Sequence, residues 1–527
     1  MKRIIFITVI LLVACGYITV AYFKNLNPPG QHISQVMRSI PANAAMVFEF
    51  PNDRSFYEIF KNNKLLAAVS GKENLDELDT LRTALAAYTN SEGLFNGQHI
   101  FVSVHPSDTG TSLLLTAVAP KGFNLNSFKQ VEKSGKLLLS PYNVGKHKGY
   151  AIYIKDIKKR FYILSKGHNI FSGSFSKDLM QTAANYEAER TDYALSPAQQ
   201  NNNSLANLYV NYQQFNPLLK SYFTNINNLP ADLYGFASTA ILSLNYKSDA
   251  LMFNGTSTLI PGGKHSYLNV FINQKPVDNH LKNILPSTTA YYSSFALSNT
   301  QQFFTDLDKW QQNTGISKKE STLYANIKNE TGVNIKQAFN GLASNEFAVL
   351  TTRFQEKLAI VALKDGSKLL PHFMNISSGM SDNSGRLNYD RLMYYLLGDA
   401  FGSFRKPFFM IVDNYLILAN TYKEVESYYE SYMNRKFLAK ADDYTSFDNL
   451  MTQRSNICYF VHSKNARYVF RRDMRKETYK SFNENEPGWQ DVYGASYQLT
   501  AAQNSFYTNF CIGSIAQKDE EQPLASN

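Results

Sequence analysis

The chain has 527 residues, 44% hydrophobic and 18% charged, and its 53 Lys and Arg against 43 Asp and Glu give a formal net charge of +10. Such a length buries large cores and points to two or more domains, and an aromatic content of 14%, with 34 Tyr and 36 Phe, suits half-buried β surfaces and argues against a helical bundle. No nucleic-acid module is recognisable, so nucleic acid is excluded as an expected partner, and three Cys are too few for a disulfide scaffold.

Lys2-Arg3 precede an uncharged run from Ile4 to Phe23 that ends at Lys24. Twenty apolar residues are enough for one membrane-crossing helix, and the basic flank places everything after Lys24 outside the cytoplasm. Leu12-Val13-Ala14-Cys15 offers a rival reading, because it resembles a lipobox in which Cys15 is acylated after cleavage; against this, Gly16 to Phe23 stays apolar. A removed signal peptide is the third alternative. Asn27-Pro28-Pro29-Gly30 then breaks any helix and acts as a spacer.

The body appears twice. Ile40-Pro41 returns as Leu285-Pro286, Phe95-Asn96-Gly97 as Phe339-Asn340-Gly341, and Phe161-Tyr162-Ile163-Leu164 as Phe408-Phe409-Met410-Ile411. Asn207-Leu208 returns as Asn456-Ile457 and Asp232-Leu233-Tyr234-Gly235 as Asp491-Val492-Tyr493-Gly494, always about 245 to 260 residues later. Each copy opens with an apolar strand, Ala45 to Phe50 or Ala290 to Phe295, followed by a capped turn and an amphipathic helix. A hairpin follows, over 99–105 with 112–119 and over 346–352 with 357–363. A second hairpin turns at Ser165-Lys166-Gly167 and Val412-Asp413-Asn414, where Gly167 and Asn414 suit left-handed backbone. Two long strands end each copy, and Tyr267 to Ile272 reads as a further strand of the first. The spacing therefore predicts an α+β fold: a tandem duplication of a module with antiparallel sheet and helices packed on one face, preceded by a membrane anchor. The boundaries are an anchor at 1–23, a spacer at 24–39, modules at 40–272 and 273–516, and a polar tail at 517–527.

Chemical motifs are weak. Ser174-Phe175-Ser176-Lys177 fits the Ser-x-x-Lys of penicillin-binding proteins, with Ser381-Asp382-Asn383 and Lys133-Ser134-Gly135 as companions, but the order differs from that family's. Helix capping explains Ser174 and Ser176 equally. The nine His include no metal-spaced pair, Gly262-Gly263-Lys264 lacks a phosphate-loop pattern, and Asp382-Asn383-Ser384-Gly385 lacks a calcium series. No cofactor is expected. Cys458 and Cys511 lie in strands, as a disulfide or as two buried thiols.

One segment is strongly basic. Lys464, Arg467, Arg471, Arg472, Arg475, Lys476 and Lys480 face only Asp473 and Glu477, while Ala466, Phe470 and Met474 recur every four residues. On one helix this makes an apolar seam flanked by cations, suited to anionic lipid, an envelope polymer or an acidic protein; a solvated helix face is the plainer reading. The corresponding stretch of the first copy carries only Lys220.

The Lys-Arg start, the single apolar helix, the Ile-Pro-Ala-Asn-Ala-Ala opening at Ile40 to Ala45 and the duplication resemble an uncharacterised family of bacterial membrane-anchored envelope proteins with a domain of unknown function. The resemblance implies localisation in the envelope and carries no site residues. The expected function is non-enzymatic binding or scaffolding. The alternatives are a carrier of an apolar ligand or polypeptide, and a serine hydrolase using Ser174 and Lys177.

Overall fold

The computed structural model describes residues 36–52, 98–107, 110–118, 137–167, 169–186, 204–226, 238–247, 249–260, 266–484 and 489–515, with a few single positions between them. The expected anchor at 1–23 with Cys15, most of the spacer and the tail at 517–527 lie outside them. Among the described residues no helix is long and apolar enough to cross a membrane.

The fold is mixed helix and antiparallel sheet, consistent with α+β. Ten strands come from the first half: β1 (Met46–Pro51), β2 (His99–Ser107), β3 (Gly110–Val118), β4 (Leu137–Val144), β5 (His147–Ile154), β6 (Lys159–Ser165), β7 (Ile170–Ser174), β8 (Asn207–Asn211), β9 (Ser238–Tyr246) and β10 (Ala250–Leu259). Ten more come from the second: β11 (Thr289–Ala296), β12 (Ala343–Thr352), β13 (Lys357–Leu363), β14 (Ser377–Ser381), β15 (Ser384–Leu387), β16 (Phe408–Val412), β17 (Tyr415–Ala419), β18 (Ile457–His462), β19 (Val492–Ala502) and β20 (Ser505–Ser514). All pairings are antiparallel. From one edge the first half runs β4, β5, β6, β7, β3, β2, β1, β8, β9, β10. From the other edge the second half runs β14, β15, β16, β17, β13, β12, β11, β18, β19, β20. β10 and β20 join the two. The two orders match strand for strand, and Asn254 stands opposite Asn509 at the centre, so the topology has a pseudo-two-fold there.

The helices are α1 (Lys177–Asn185), α2 (Phe215–Tyr222), α3 (Thr300–Asn313), α4 (Ser317–Thr331), α5 (Ile335–Leu342), α6 (Gly366–Asn375), α7 (Leu392–Leu397), α8 (Tyr422–Met433), α9 (Asp442–Asp448), α10 (Ser463–Asp473) and α11 (Lys476–Glu484). In the second half they cover both faces of the sheet, not one. Leu358 and Ile360 of β13 pack with Val425 and Tyr428 of α8 and Tyr444 and Phe447 of α9. Ala359 and Val361, pointing the other way, pack with Phe303 of α3, Phe339 of α5 and Phe373 of α6. The physical reason is visible in β13 and in Phe347 to Leu350 of β12, whose continuous apolar runs require burial on both sides.

Three local readings also change. Tyr267–Phe271 is a 3-10 helix, and Tyr267 and Phe271 pack on Phe295 of the second half. In the β16–β17 turn the left-handed residue is Asp413, at φ +49°, rather than Asn414, whereas Gly167 adopts φ +86° as its type suggests. The basic segment is two helices, because the chain breaks at Met474, which bridges antiparallel to Phe223 of the first half.

Candidate functional site

Register places one polar side chain after another across the middle of the sheet. Glu49 of β1 is opposite Asn207 of β8, which is opposite Ser243 of β9 and then Asn254 of β10. Asn254 faces Asn509 of β20, and Asn509 faces Gln498 of β19. Because residues in register share a face, these six form a transverse polar row on one side of the sheet.

Each member is bonded. Glu49 is fully buried, and its carboxylate accepts from His99 Nδ1 at 2.7 Å, from Asn207 Nδ2 at 3.3 Å and from the Tyr209 hydroxyl. Ser243 donates to Asn207 Oδ1 at 3.2 Å, Asn245 Nδ2 donates to Asn254 Oδ1 at 3.1 Å, and Asn254 Nδ2 donates to Asn509 Oδ1. A buried carboxylate costs several kcal/mol unless it is bonded in this way. On the first-half side the row borders a cavity of about 290 Å³ lined by Ile241, Ser243, Asn245, Asn254, Gly255, Thr256 and Tyr507, all uncharged.

The second half treats its end of the row differently. Thr452 N–H donates to Gln498 Oε1 at 2.8 Å, Gln498 Nε2 returns a bond to Thr452 O at 2.7 Å, and Asn509 Nδ2 donates to Thr452 Oγ1. Ser455 and Arg454 add contacts to Gln498 and Thr500. A turning stretch of the chain's own backbone at Thr452 therefore lies over Gln498 and Asn509.

The basic residues do not act as one group. Arg472 pairs with Asp473 at 2.8 Å and donates to Gln355, and Arg475 donates to the Lys220 carbonyl at 3.0 and 3.2 Å. Both tie structure together. Arg467 and Arg471 are exposed on α10 with Lys464 and Tyr468, the latter 61% exposed, and Lys476 is exposed on α11. Beside them, bonded through Gln355, is the β12–β13 turn with Arg353 stacked 4.9 Å from the ring of Phe354, itself 62% exposed.

The serine motif does not assemble. Ser174 is buried and donates to Leu113 O at 2.6 Å while accepting from Ser176 N–H; Ser176 caps α1 through Leu179 N–H at 3.2 Å, and Lys177 is exposed. Ser381 sits in β14 at the far edge of the sheet, and Lys133-Ser134-Gly135 lies outside the described residues. Cys458 and Cys511 are free, two strands apart, with burial pushing both thiols up to about 12. Comparison with family models, curated proteins and solved structures finds no match to this chain.

Sequence reading missed the polar row. Glu49 carried the available signal, a lone carboxylate within Met46-Val47-Phe48-Glu49-Phe50, but the row as a whole exists only through register between strands far apart in sequence.

Proposed function

We propose that this is a non-enzymatic envelope protein of duplicated α+β modules, held outside the cytoplasm by Ile4 to Phe23 or by lipid on Cys15, that binds an anionic partner through its second module. The supporting observation is the contrast between two helices at matching places. α10 exposes Lys464, Arg467 and Arg471 around Tyr468, while α2 carries Lys220 alone among basic residues. Arg353 and Phe354 extend the same surface. Cations beside exposed aromatic rings suit a phosphate-bearing lipid surface, where rings enter the headgroup layer and cations meet phosphate.

The test is vesicle sedimentation of the protein with and without anionic lipid. Lys464→Gln, Arg467→Gln and Arg471→Gln together should weaken binding to anionic vesicles roughly a hundredfold at low salt, at about fivefold per charge, and raised salt should weaken the parent protein likewise. Equal binding by parent and triple variant overturns the surface assignment. For the anchor, acylation of the parent protein that is lost in Cys15→Ser favours the lipid, and a membrane-bound parent protein without acylation favours the helix.

A further inference from the structure

Two segments leave the sheet at the same end. β18 and β20 both pair antiparallel with β19, so they run the same way, and register sets His462, Gly494 and Gly513 in one transverse line. Two strand spacings, about 10 Å, therefore separate the start of α10 from the end of β20. Hydrogen bonds hold the two exits together. Ile515 N–H donates to Asp491 O at 3.1 Å, and two residues back along the chain Trp489 Nε1 donates at 2.9 Å to the carbonyl of Ser463, the first residue of α10. Lys464, Arg467, Tyr468 and Arg471 then stand on α10 at spacings of three and four, which makes one exposed stripe. Among the described residues Arg472 pairs with Asp473, and no carboxylate pairs with Lys464, Arg467 or Arg471.

We infer that the acidic segment Asp519-Glu520-Glu521 turns back onto this stripe and shields it, so that an anionic partner must displace part of the chain itself. The inference rests on the reading of the α10 surface as an anion site and adds its regulation. Ala516 to Asn527 follow Ile515, and the three carboxylates come four to six residues after it, with Lys518 as the sole cation of that stretch. Four to six residues reach at most about 14 to 20 Å, which crosses the gap to Lys464 and to Arg467, about 4.5 Å further along the helix. A tether this short holds the carboxylates at an effective concentration of about millimolar, so a weak contact of several charges is populated without burial. Charge also selects the direction. At the same end Lys247 of the β9–β10 turn is exposed, but it lies two residues from Asp249, whose carbonyl accepts from Ser514 N–H at 2.9 Å. The α10 stripe offers three cations instead. Surface ion pairs are individually weak, which suits a cover that a denser array of phosphates replaces.

The first test uses no lipid. A photo-crosslinking amino acid in place of Gln522 in the full chain should give intrachain adducts within 463–472, reduced about fivefold or more by raised salt and by Lys464→Gln, Arg467→Gln and Arg471→Gln together. Adducts to the β9–β10 turn, adducts only between two chains, or no adduct at all overturn the inference even where the protein binds vesicles. Glu486, outside the described residues, is the rival anion for these cations and stays unchanged in every variant, so the readout reports the 519–521 segment. The second test reads the shielding. Asp519→Asn, Glu520→Gln and Glu521→Gln together should raise affinity for phosphatidylglycerol vesicles about threefold at low salt, with no such gain when the three α10 cations are also replaced. Unchanged affinity overturns the shielding, and an equal gain in both backgrounds assigns the effect to general repulsion from the lipid and overturns the contact. Adducts on α10 in a protein that binds no vesicles support the contact while removing the lipid reading.

Discussion

The two halves hang ten strands each in the same order, yet they fill that frame in different ways. The second half encloses its strands between two helix layers, stacks Phe295 between Phe271 and Phe347 with Phe303 tilted against them, and lays its own backbone over Gln498. The first half meets its polar demands with side chains from neighbouring strands and leaves a cavity. The buried carboxylates show the contrast most sharply. Glu49 depends on side chains from three residues, His99, Asn207 and Tyr209, whereas Glu346 accepts the backbone N–H groups of His280 and Leu281, both at 2.8 Å, with His280 Nδ1 as third donor. Among the described residues one strand order therefore holds a buried carboxylate in two ways, through backbone N–H groups in the second half and through side chains alone in the first.

If the second half carries most of the packing energy, truncating its centre should cost more than truncating the matching place in the first. Phe347→Ala should destabilise by about 3–5 kcal/mol and half-buried Ile100→Ala by about half as much, measured by urea unfolding. Equal costs would break the comparison.

Acid should act on both halves. Burial holds the imidazole of His105 down to about 4, and burial with the nearby Lys464 charge does the same for His462. Both folded values lie below the ordinary 6.5, so the unfolded chain takes up protons that the folded chain refuses. Stability is then full above about pH 6.5 and falls as pH drops toward 4, by up to about 3 kcal/mol for each histidine. His105→Gln, which can keep bonds to Ser103 and Asn43, and His462→Phe, which keeps the ring contact with Tyr493, should each flatten part of that slope. A slope unchanged in both variants would remove these histidines as the cause.

Glu49 and Glu346 allow a finer comparison. Glu49→Gln turns one acceptor oxygen into a donor facing Tyr209 and Asn207, which can reorient, and should cost about 1–2 kcal/mol. In Glu346→Gln the remaining oxygen can keep both backbone N–H groups, which reach the same carboxylate oxygen, while the amide turns to His280 Nδ1, so the cost should also be about 1–2 kcal/mol. A clearly larger cost at either site would mean that a donor there cannot turn.

Local pattern revealed those parts of this fold that depend on local chemistry. The opening strands, the β2–β3 and β12–β13 hairpins and the helix entered from Ser176 all follow from alternation, turn residues and caps. What escaped depends on distant pairing. The edge strand β14 carries little apolar signal, as in Ser377-Ser378-Gly379-Met380-Ser381, and holds its shape by bonding to β15, while β4 opens on Leu137-Leu138-Leu139 but then turns polar and pairs with β5. The break at Met474 escaped because helical spacing continues through it, while its backbone is claimed by Phe223. The polar row escaped because neighbours such as Asn254 and Asn509 are hundreds of residues apart.

The smallest effect concerns two matching helix starts. Ser176 caps α1 through Leu179 N–H, and Thr421 caps α8 through Glu424 N–H at 3.3 Å; Glu424 returns a bond to the Thr421 N–H at 2.9 Å, completing a capping box. The first half has Leu179 at that third position, so no reciprocal bond forms. The caps therefore match at Ser176 and Thr421, although the turn before β7 is two residues longer than the turn before β17. Ser176→Ala and Thr421→Ala should each cost about 1 kcal/mol. Glu424→Ala should cost about half as much, by loss of the returning bond, and Leu179→Glu gains nothing comparable because Leu179 is buried against Leu114 and Leu164. Thermal unfolding of the four variants checks this, and a Glu424→Ala cost equal to zero would reduce the second cap to the simpler form of the first.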